Sequence, residues 1–353
     1  MRTMILIILV FGSYSLWAGR AGFSVLVLDS ETRDPIKGVK IEGSFLNYSK
    51  SWGVAAMDND VDAYTDANGM ARLSGNTESG KGGYRIYGNE GYYNAEWREI
   101  RFSEQSLLRL GAWVPSNIIS TARLDRVLNP IPLYVKKVKG KFREKKQGDY
   151  MIATDYKNLQ KALLSTNDVR RVSNVTMAFD VVVGDWLPPL GGGNVSDISF
   201  VFNEDVLGWK VAEGYSVSIS KLYKMNLLVS FLGKGNGIVE IPVDNRAGIK
   251  IRNAPLEGYS SNLSRWKGWL GGGATTDCDK DRCYVFRIRT EYDDEGNFKS
   301  ALYGKIYGDF DMLDIEGVRF LYYLNPTPND RNLEWDRKHN LCPKPGDIGY
   351  PKP

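Results

Sequence analysis

The sequence predicts an all-β chain of two domains, and three observations carry that expectation. Apolar and β-branched runs are short, and Asp-Pro, Asn-Gly and Gly-rich breaks separate them. Glycine and tyrosine are plentiful, 37 and 20 of 353 residues, which suits tight turns between half-buried strands. The length leaves room for two ordinary domains, each with its own core. A hydrophobic content of 42% with 25% charged residues belongs to a globular chain rather than a disordered one. The net charge of +4 is mild and gives no case for nucleic acid, which calls for a concentrated basic face.

Residues 1–21 read as a signal peptide. Arg2 supplies the positive start, and Met4–Phe11 is an apolar core too short to span a bilayer with its flanks. Gly19-Arg20-Ala21 is a small-x-small cleavage candidate, with Ala18 as the alternative. An uncleaved anchor is the other reading, and the absence of a nearby cysteine argues against a lipid anchor. Export follows: a secreted, periplasmic or cell-surface protein with no membrane-spanning segment once the leader is removed.

The first domain is expected over 22–128. Phe23–Asp29 is a strand, Asp34-Pro35 a turn, and Ile36–Ile41 resumes extended chain. Pro35 fixes φ for the turn, and Gly38 permits close backbone approach. Thr65-Asp66-Ala67-Asn68-Gly69 reads as a tight hairpin between Ala63–Thr65 and Met70–Leu73, since Asn-Gly tolerates positive φ. Tyr84–Tyr87 and Gly91-Tyr92 continue the pattern. A strand ending in Asp, an Asp-Pro-Ile-x-Gly-Val step and a Thr-Asp-x-Asn-Gly turn resemble the carboxypeptidase regulatory-like, or transthyretin-like, β-sandwich. The resemblance covers about a third of the chain, and the insert Ser44–Asp60 departs from a minimal version of that domain. It implies a non-catalytic accessory module of secreted and envelope proteins, with no active-site residues to carry over.

Ser103–Leu110 has a short helical pattern behind a Ser103 cap, and Asn117–Leu128 reads as the last strand of the first domain. Asn129-Pro130-Ile131-Pro132 marks the boundary, because paired prolines do not continue a central strand. The expected linker, 129–147, carries the basic run Val135–Lys146. Its alternation suits an edge strand whose lysines discourage edge-to-edge pairing, and the functional alternative is contact with an anionic polymer or membrane surface. The second domain, 148–337, is expected to be a larger β-sandwich or jelly-roll-like unit with one short helix. Thr154 caps that helix over Asp155–Leu164, and the rest is short strands, including a hairpin turned at Asp293–Asn297. Residues 338–353, rich in Pro and Gly, read as a disordered tail. The last strand-like and polar stretch before that tail resembles only the ends of uncharacterised bacterial secreted proteins.

Chemistry is scarce. The single histidine, His339, sits in polar text without a nucleophile-elbow motif to accompany it. Asp277, Asp279 and Asp281 alternate like the start of a calcium loop. Arg282 and Ile288 stand where an EF-hand needs Gly and Glu, so Ca²⁺ is the sole cofactor candidate and only in a looser loop. Cys278 and Cys283 lie close enough in sequence to close a small disulfide loop, which leaves Cys342 free or paired between molecules. Asp180, Asp185, Asp197, Glu204 and Asp205 cluster near Trp186 and define the alternative of a carboxylate-pair glycoside hydrolase. Trp186, Trp266 and Trp269 lie in Gly- and Pro-containing text, where exposed indoles would present rigid faces to a sugar or a protein. The reading is an exported, non-catalytic binding or envelope-associated protein whose partner is a polysaccharide or an envelope protein. A structural assembly role is the alternative.

Overall fold

The structure, a computed structural model, describes residues 19–48, 55–89, 91–93, 95–106, 112–115, 117–141, 150–153, 175–212, 217–242, 251–271, 273–279, 281–313, 317–344, 346 and 348. The described residues are strands, turns and bends without an α-helix, so the all-β expectation holds. The helix expected at Asp155–Leu164 lies outside them. The other, at Ser103–Leu110, is corrected: Glu104–Ser106 is a strand paired with Ala112–Val114. The chain divides into two compact units after Leu128.

The described residues of the first unit form nine strands. They are β1 (Gly19–Asp29), β2 (Lys40–Tyr48), β3 (Ala55–Tyr64), β4 (Met70–Thr77) and β5 (Lys81–Tyr87), then β6 (Ala95–Arg101), β7 (Glu104–Ser106), β8 (Ala112–Val114) and β9 (Ile118–Leu124). Two sheets, β4-β1-β9 and β3-β2-β5-β6, enclose one apolar core. Strand β1 shows why: Ala21, Phe23, Val25 and Val27 alternate inward and are buried. It is the middle strand, antiparallel to β4 and parallel to β9. Pairing starts at Gly19, and buried Ala21 faces Gly75, so the folded unit begins three residues before the expected boundary at 22.

The Asp66–Gly69 segment is a turn but not a hairpin. Strands β3 and β4 belong to different sheets, and the turn switches the chain between them. Asp66 Oδ1 accepts the Asn68 and Met70 N–H groups at 2.8 and 2.9 Å. Gly69 has φ +72°, and a Cβ there would meet Val27 O at 2.5 Å, so both its handedness and its crowding demand glycine.

The described residues of the second unit form fourteen strands. First come β10 (Ile131–Lys141), β11 (Tyr150–Ala153), β12 (Val175–Asp180), β13 (Asp185–Trp186), β14 (Ile198–Ala212), β15 (Val217–Phe231) and β16 (Gly237–Ile241). Then follow β17 (Asn262–Trp269), β18 (Ala274–Thr276), β19 (Cys283–Tyr292), β20 (Phe298–Tyr307), β21 (Asp311–Leu313), β22 (Gly317–Asn325) and β23 (Trp335–Asn340). An outer sheet runs β13-β12-β14-β15-β17-β18, with β11 also on β15. A second sheet runs β16-β19-β20-β22-β10-β23, with β21 on β22. Side chains of the outer sheet's inner face, such as Phe200 and Phe202, share one core with Phe286, Ile306 and Phe320 of the second sheet.

The second sheet is buried on both faces. Cys283, Val285, Tyr303, Tyr323 and Leu133 form a separate core with Ile251, Ala254, Leu333 and Trp335. The near-continuous apolar text of β22 reflects this double burial. Two expectations are corrected here. Within the expected linker, Ile131–Lys141 is a strand, as the basic run's alternation suggested from Val135 on, and it pairs with both β22 and β23; Leu133 and Val135 bury on one face and Val138 on the other. Residues 338–353 are not a disordered tail throughout: β23 reaches Asn340, Leu341 N donates to Leu133 O at 2.9 Å, and Cys342 is buried.

Candidate functional site

The carboxylates that cluster in sequence near Trp186 separate in space into different tasks. Asp180, at the end of β12, and Asp197, just before β14, are both buried. Arg289 reaches them from β19, with Nη2 2.7 Å from Asp180 Oδ1 and Nε 3.1 Å from Asp197 Oδ1. Arg289 has φ +51° at an irregularity in the β19–β20 pairing, and that unusual backbone directs its guanidinium at the pair. Asp180 also accepts N–H groups from Val182, Val183, Asn194 and Val195 at 3.0–3.1 Å. Asp197 accepts Val181 N at 2.9 Å. Burial alone would raise Asp180, but those N–H groups and Arg289 hold it below its ordinary value. Burial prevails at Asp197, which is raised despite Arg289. The two carboxylates thus staple the 181–197 loop. Asp185 caps Trp186 N and Gly192 N. Glu204 is buried on the inner face of the outer sheet and Asp205 stands exposed, so the five do not gather at one rim.

A second charged centre involves the aspartates expected to bind calcium. Buried Asp309 receives Arg265 Nε at 2.9 and 2.8 Å and Arg282 Nη1 at 3.2 Å. Arg265 is also bonded to the Tyr284 hydroxyl, and Glu240 lies 3.5–3.6 Å from both guanidiniums. Burial pushes the Tyr284 hydroxyl well above its usual range. Asp277 Oδ1 accepts Trp266 N at 2.6 Å, and Asp279 Oδ1 accepts Asp281 N at 2.9 Å. These two oxygens are spent on backbone, and Arg282 Nη1 donates to Asp277 O at 2.9 Å. No group of three or more His, Cys, Asp or Glu side chains that could hold a metal occurs among the described residues.

The expected Cys278–Cys283 disulfide is corrected. The structure forms no disulfide between Cys278 and Cys283. Cys283 belongs to the core behind the second sheet, whereas Cys278 packs against the core between the sheets. Burial raises the Cys278 thiol above its ordinary value.

The three tryptophans part company. Trp186 is 8% exposed and packs edge-on against Phe179 at 5.1 Å; Gly140 gives it room, since a Cβ there would meet the indole at 2.2 Å. It is a core residue, which corrects its place among the ligand-contacting indoles. Trp269 lies opposite Tyr223 on the inner side of β17, with Arg265 and Lys267; its indole N–H is buried without a hydrogen-bond partner among the described residues. Trp266 occupies the opposite side, half-buried on the outer face of the outer sheet. Lys224 Nζ sits 5.3 Å from its ring centroid, Asn226 stands directly across the pair, and Asn226 Nδ2 reaches Asp205 Oδ2 at 3.4 Å. An indole beside an amide, a carboxylate and an ammonium can stack on the apolar side of a sugar ring and bond its hydroxyls.

One unusual group escaped the sequence reading. Lys305 is fully buried. Its Nζ donates to Ile251 O at 3.2 Å and lies 5.0 and 5.1 Å from the ring centroids of Tyr307 and Tyr323. Strict alternation on β20 could have exposed it, since Ala301, Tyr303 and Tyr307 share its face. His339, by contrast, is exposed on β23, 2.6 Å from Asp336; that bond holds the Asp336 carboxyl below its ordinary value.

No family model matches the chain, and no curated protein matches it. Among solved structures it is similar to an intradiol ring-cleavage dioxygenase from Tetranychus urticae, 16% identical with a TM-score of 0.23, covering 31% of this chain and 83% of that one. It is similar to the major pilin SpaD from Corynebacterium diphtheriae, 10% identical with a TM-score of 0.24, covering 81% and 72%. It is also similar to BcpA, the major pilin subunit of Bacillus cereus, 12% identical with a TM-score of 0.22, covering 85% and 95%. Likenesses this distant assign neither topology nor activity to this chain. No helix among the described residues is long and apolar enough to cross a membrane.

Proposed function

We propose that this chain is an exported, non-catalytic binding protein of the cell envelope that contacts polysaccharide through the outer face around Trp266. The observation that carries the reading is the division of labour between polar groups. Buried Asp180, Asp197 and Asp309 are engaged by backbone N–H groups and arginines, whereas Trp266, Lys224, Asn226 and exposed Asp205 share the outer face. The first unit, with its resemblance to the carboxypeptidase regulatory-like sandwich, serves as an accessory module.

The leader fits this reading when cut after Ala18. Cleavage after Ala21 would remove the first rungs of β1 together with a buried side chain; cleavage after Ala18 leaves them whole.

The test is retention of the purified chain on a panel of bacterial and host polysaccharides, with released sugar scored in the same assay. Retention without release is expected, and Trp266→Ala should abolish it while the unfolding midpoint stays near that of the parent. Retention unchanged in Trp266→Ala removes this face as the site. Release of sugar overturns the non-catalytic reading.

A further inference from the structure

The outer face around Trp266 is laid out in rows that cross β14, β15 and β17. One row runs Asn203, Asn226, Trp266, and the next runs Asp205, Lys224, Gly268. Side chains opposite one another in such rows point to the same side of the sheet, with Cβ atoms about 5 Å apart. Gly268 adds no side chain, so the ground beside the indole belongs to Lys224 and Asp205.

Lys224 is the unusual member. Asp205 faces it directly across the strand pair, where an ammonium and a carboxylate ordinarily meet, yet no ion pair joins the two. Asp205 Oδ2 instead accepts Asn226 Nδ2 at 3.4 Å. The Lys224 ammonium lies over the Trp266 ring, 5.3 Å from its centroid, and has no carboxylate partner among the described residues. A cation over an aromatic face is held only weakly where water reaches it.

A ligand that stacks on this indole must deal with that ammonium. A neutral sugar displaces Lys224 from the ring and returns nothing for it. A sugar bearing a carboxylate exchanges the weak cation–π contact for a stronger, charge-assisted hydrogen bond, while its ring covers the indole. The remaining groups suit the rest of such a sugar, because Asp205 can accept from hydroxyls and the Asn226 amide can both donate and accept. Charge on the face is also balanced, one ammonium against one carboxylate, so a polymer of closely spaced phosphates would meet Asp205 as a like charge. We infer that the occupant of the Trp266 face is a hexuronate unit of an acidic polysaccharide, with its carboxylate on Lys224 Nζ and its ring on the indole. The inference rests on the polysaccharide reading above and adds the class of sugar to it, with Lys224 as the residue that sets specificity.

The experiment compares the affinity of the full chain for polygalacturonate, for the same polymer with its carboxyls methyl-esterified, and for poly(glycerol phosphate), which carries charge without a sugar ring in its backbone. The variants are Lys224→Gln, Trp266→Ala and, as a charge control at an exposed lysine of the first unit, Lys81→Gln. The parent should bind polygalacturonate about tenfold more tightly than the ester. Lys224→Gln should erase that preference, binding polygalacturonate about tenfold more weakly and the ester within about twofold of the parent. Trp266→Ala should weaken both polymers, and Lys81→Gln should match the parent. Five results overturn the inference: no binding to polygalacturonate, equal affinity for acid and ester, tighter binding of poly(glycerol phosphate), parent-like binding of polygalacturonate by Lys224→Gln, or an equal loss in Lys81→Gln. If Lys224→Gln keeps the preference while Trp266→Ala weakens both polymers, the sugar class is wrong and the face stands. If Trp266→Ala binds both polymers as the parent does, the face falls and the inference with it.

Discussion

The second sheet of the second unit is closed on its two faces by different kinds of cover, and the covers place charge differently. Toward the other sheet, the core is built from Phe200, Phe231, Phe286, Phe320 and their neighbours. Each sheet satisfies its own backbone, so apolar side chains make most of that contact, and the charges buried there are paired with one another, Arg265 with Asp309 and Arg289 with Asp180 and Asp197. Toward the 251–259 and 329–335 segments, the cover is irregular chain. Such chain brings loose carbonyl and amide groups into a core, where an unbonded one costs on the order of 1–3 kcal/mol. The sheet answers with polar side chains. Lys305 donates to Ile251 O, the Tyr307 hydroxyl accepts Ile251 N at 3.3 Å, and buried Asn325 donates to Asp330 O and Asn332 O at 3.2 and 2.9 Å. A buried lysine is thus part of how a sheet tolerates an irregular lid.

Four substitutions would break or sharpen this contrast, and unfolding in denaturant, followed by tryptophan fluorescence, reads all of them. Phe200→Ala, on the face where packing dominates, should cost about 3–5 kcal/mol. A loss below about 1 kcal/mol would mean that the two sheets do not share that core.

Arg289→Met should cost about 3 kcal/mol at neutral pH, because it leaves two buried carboxylates without their cation. The pH dependence has a definite sign. Asp180 is held low in the folded protein, so its stabilisation is present above the unfolded value near 3.8 and is lost as pH falls through its folded value. Asp197 is raised, so its charged form costs stability that protonation relieves. Without Arg289 both carboxyls shift upward, and the variant's deficit should shrink as pH falls from 7 toward 4.5. A deficit that is constant over that range would count against the staple.

On the irregular face, Lys305→Ala should cost about 2–4 kcal/mol, and Lys305→Met, which keeps the length but leaves Ile251 O unbonded, about 1–3 kcal/mol. A loss below about 1 kcal/mol in Lys305→Met would show that volume, not the hydrogen bond, is what the lid requires. The smallest effect belongs to the first unit, where Asp66→Ala removes two N–H bonds at an exposed turn and should cost about 1 kcal/mol.

How much of this was legible depends on the range of each contact. Alternation in β1 announced its buried face, and Asp66–Gly69 announced a turn, because both are settled within a few residues. That the turn crosses between sheets was not legible, since β4 pairs with β1 rather than with its sequence neighbour β3. Trp186 looked exposed because its text is rich in turn residues. Its burial is settled by Gly140, far upstream, and by Phe179 and Phe200. The carboxylate cluster was visible, but its arginine lies 92 and 109 residues away, and nothing local to Arg289 advertises the bend in β19 that aims it. The alternating aspartates show the same limit: the bonds from Trp266 N to Asp277 Oδ1 and from Arg282 Nη1 to Asp277 O are not announced by the motif. Trp266 kept its place on an outer surface because β17 alternates as its text suggests.

The position of β1 sets an order of events. Among the described strands it is the first made and the central one in its sheet, and its parallel partner, Ile118–Leu124, is the last of the unit. The three-stranded sheet therefore cannot close until the whole unit has been synthesised, and long loop closures of that kind are slow. Until then β1 has only its antiparallel partner β4, and the unit locks when its last strand arrives.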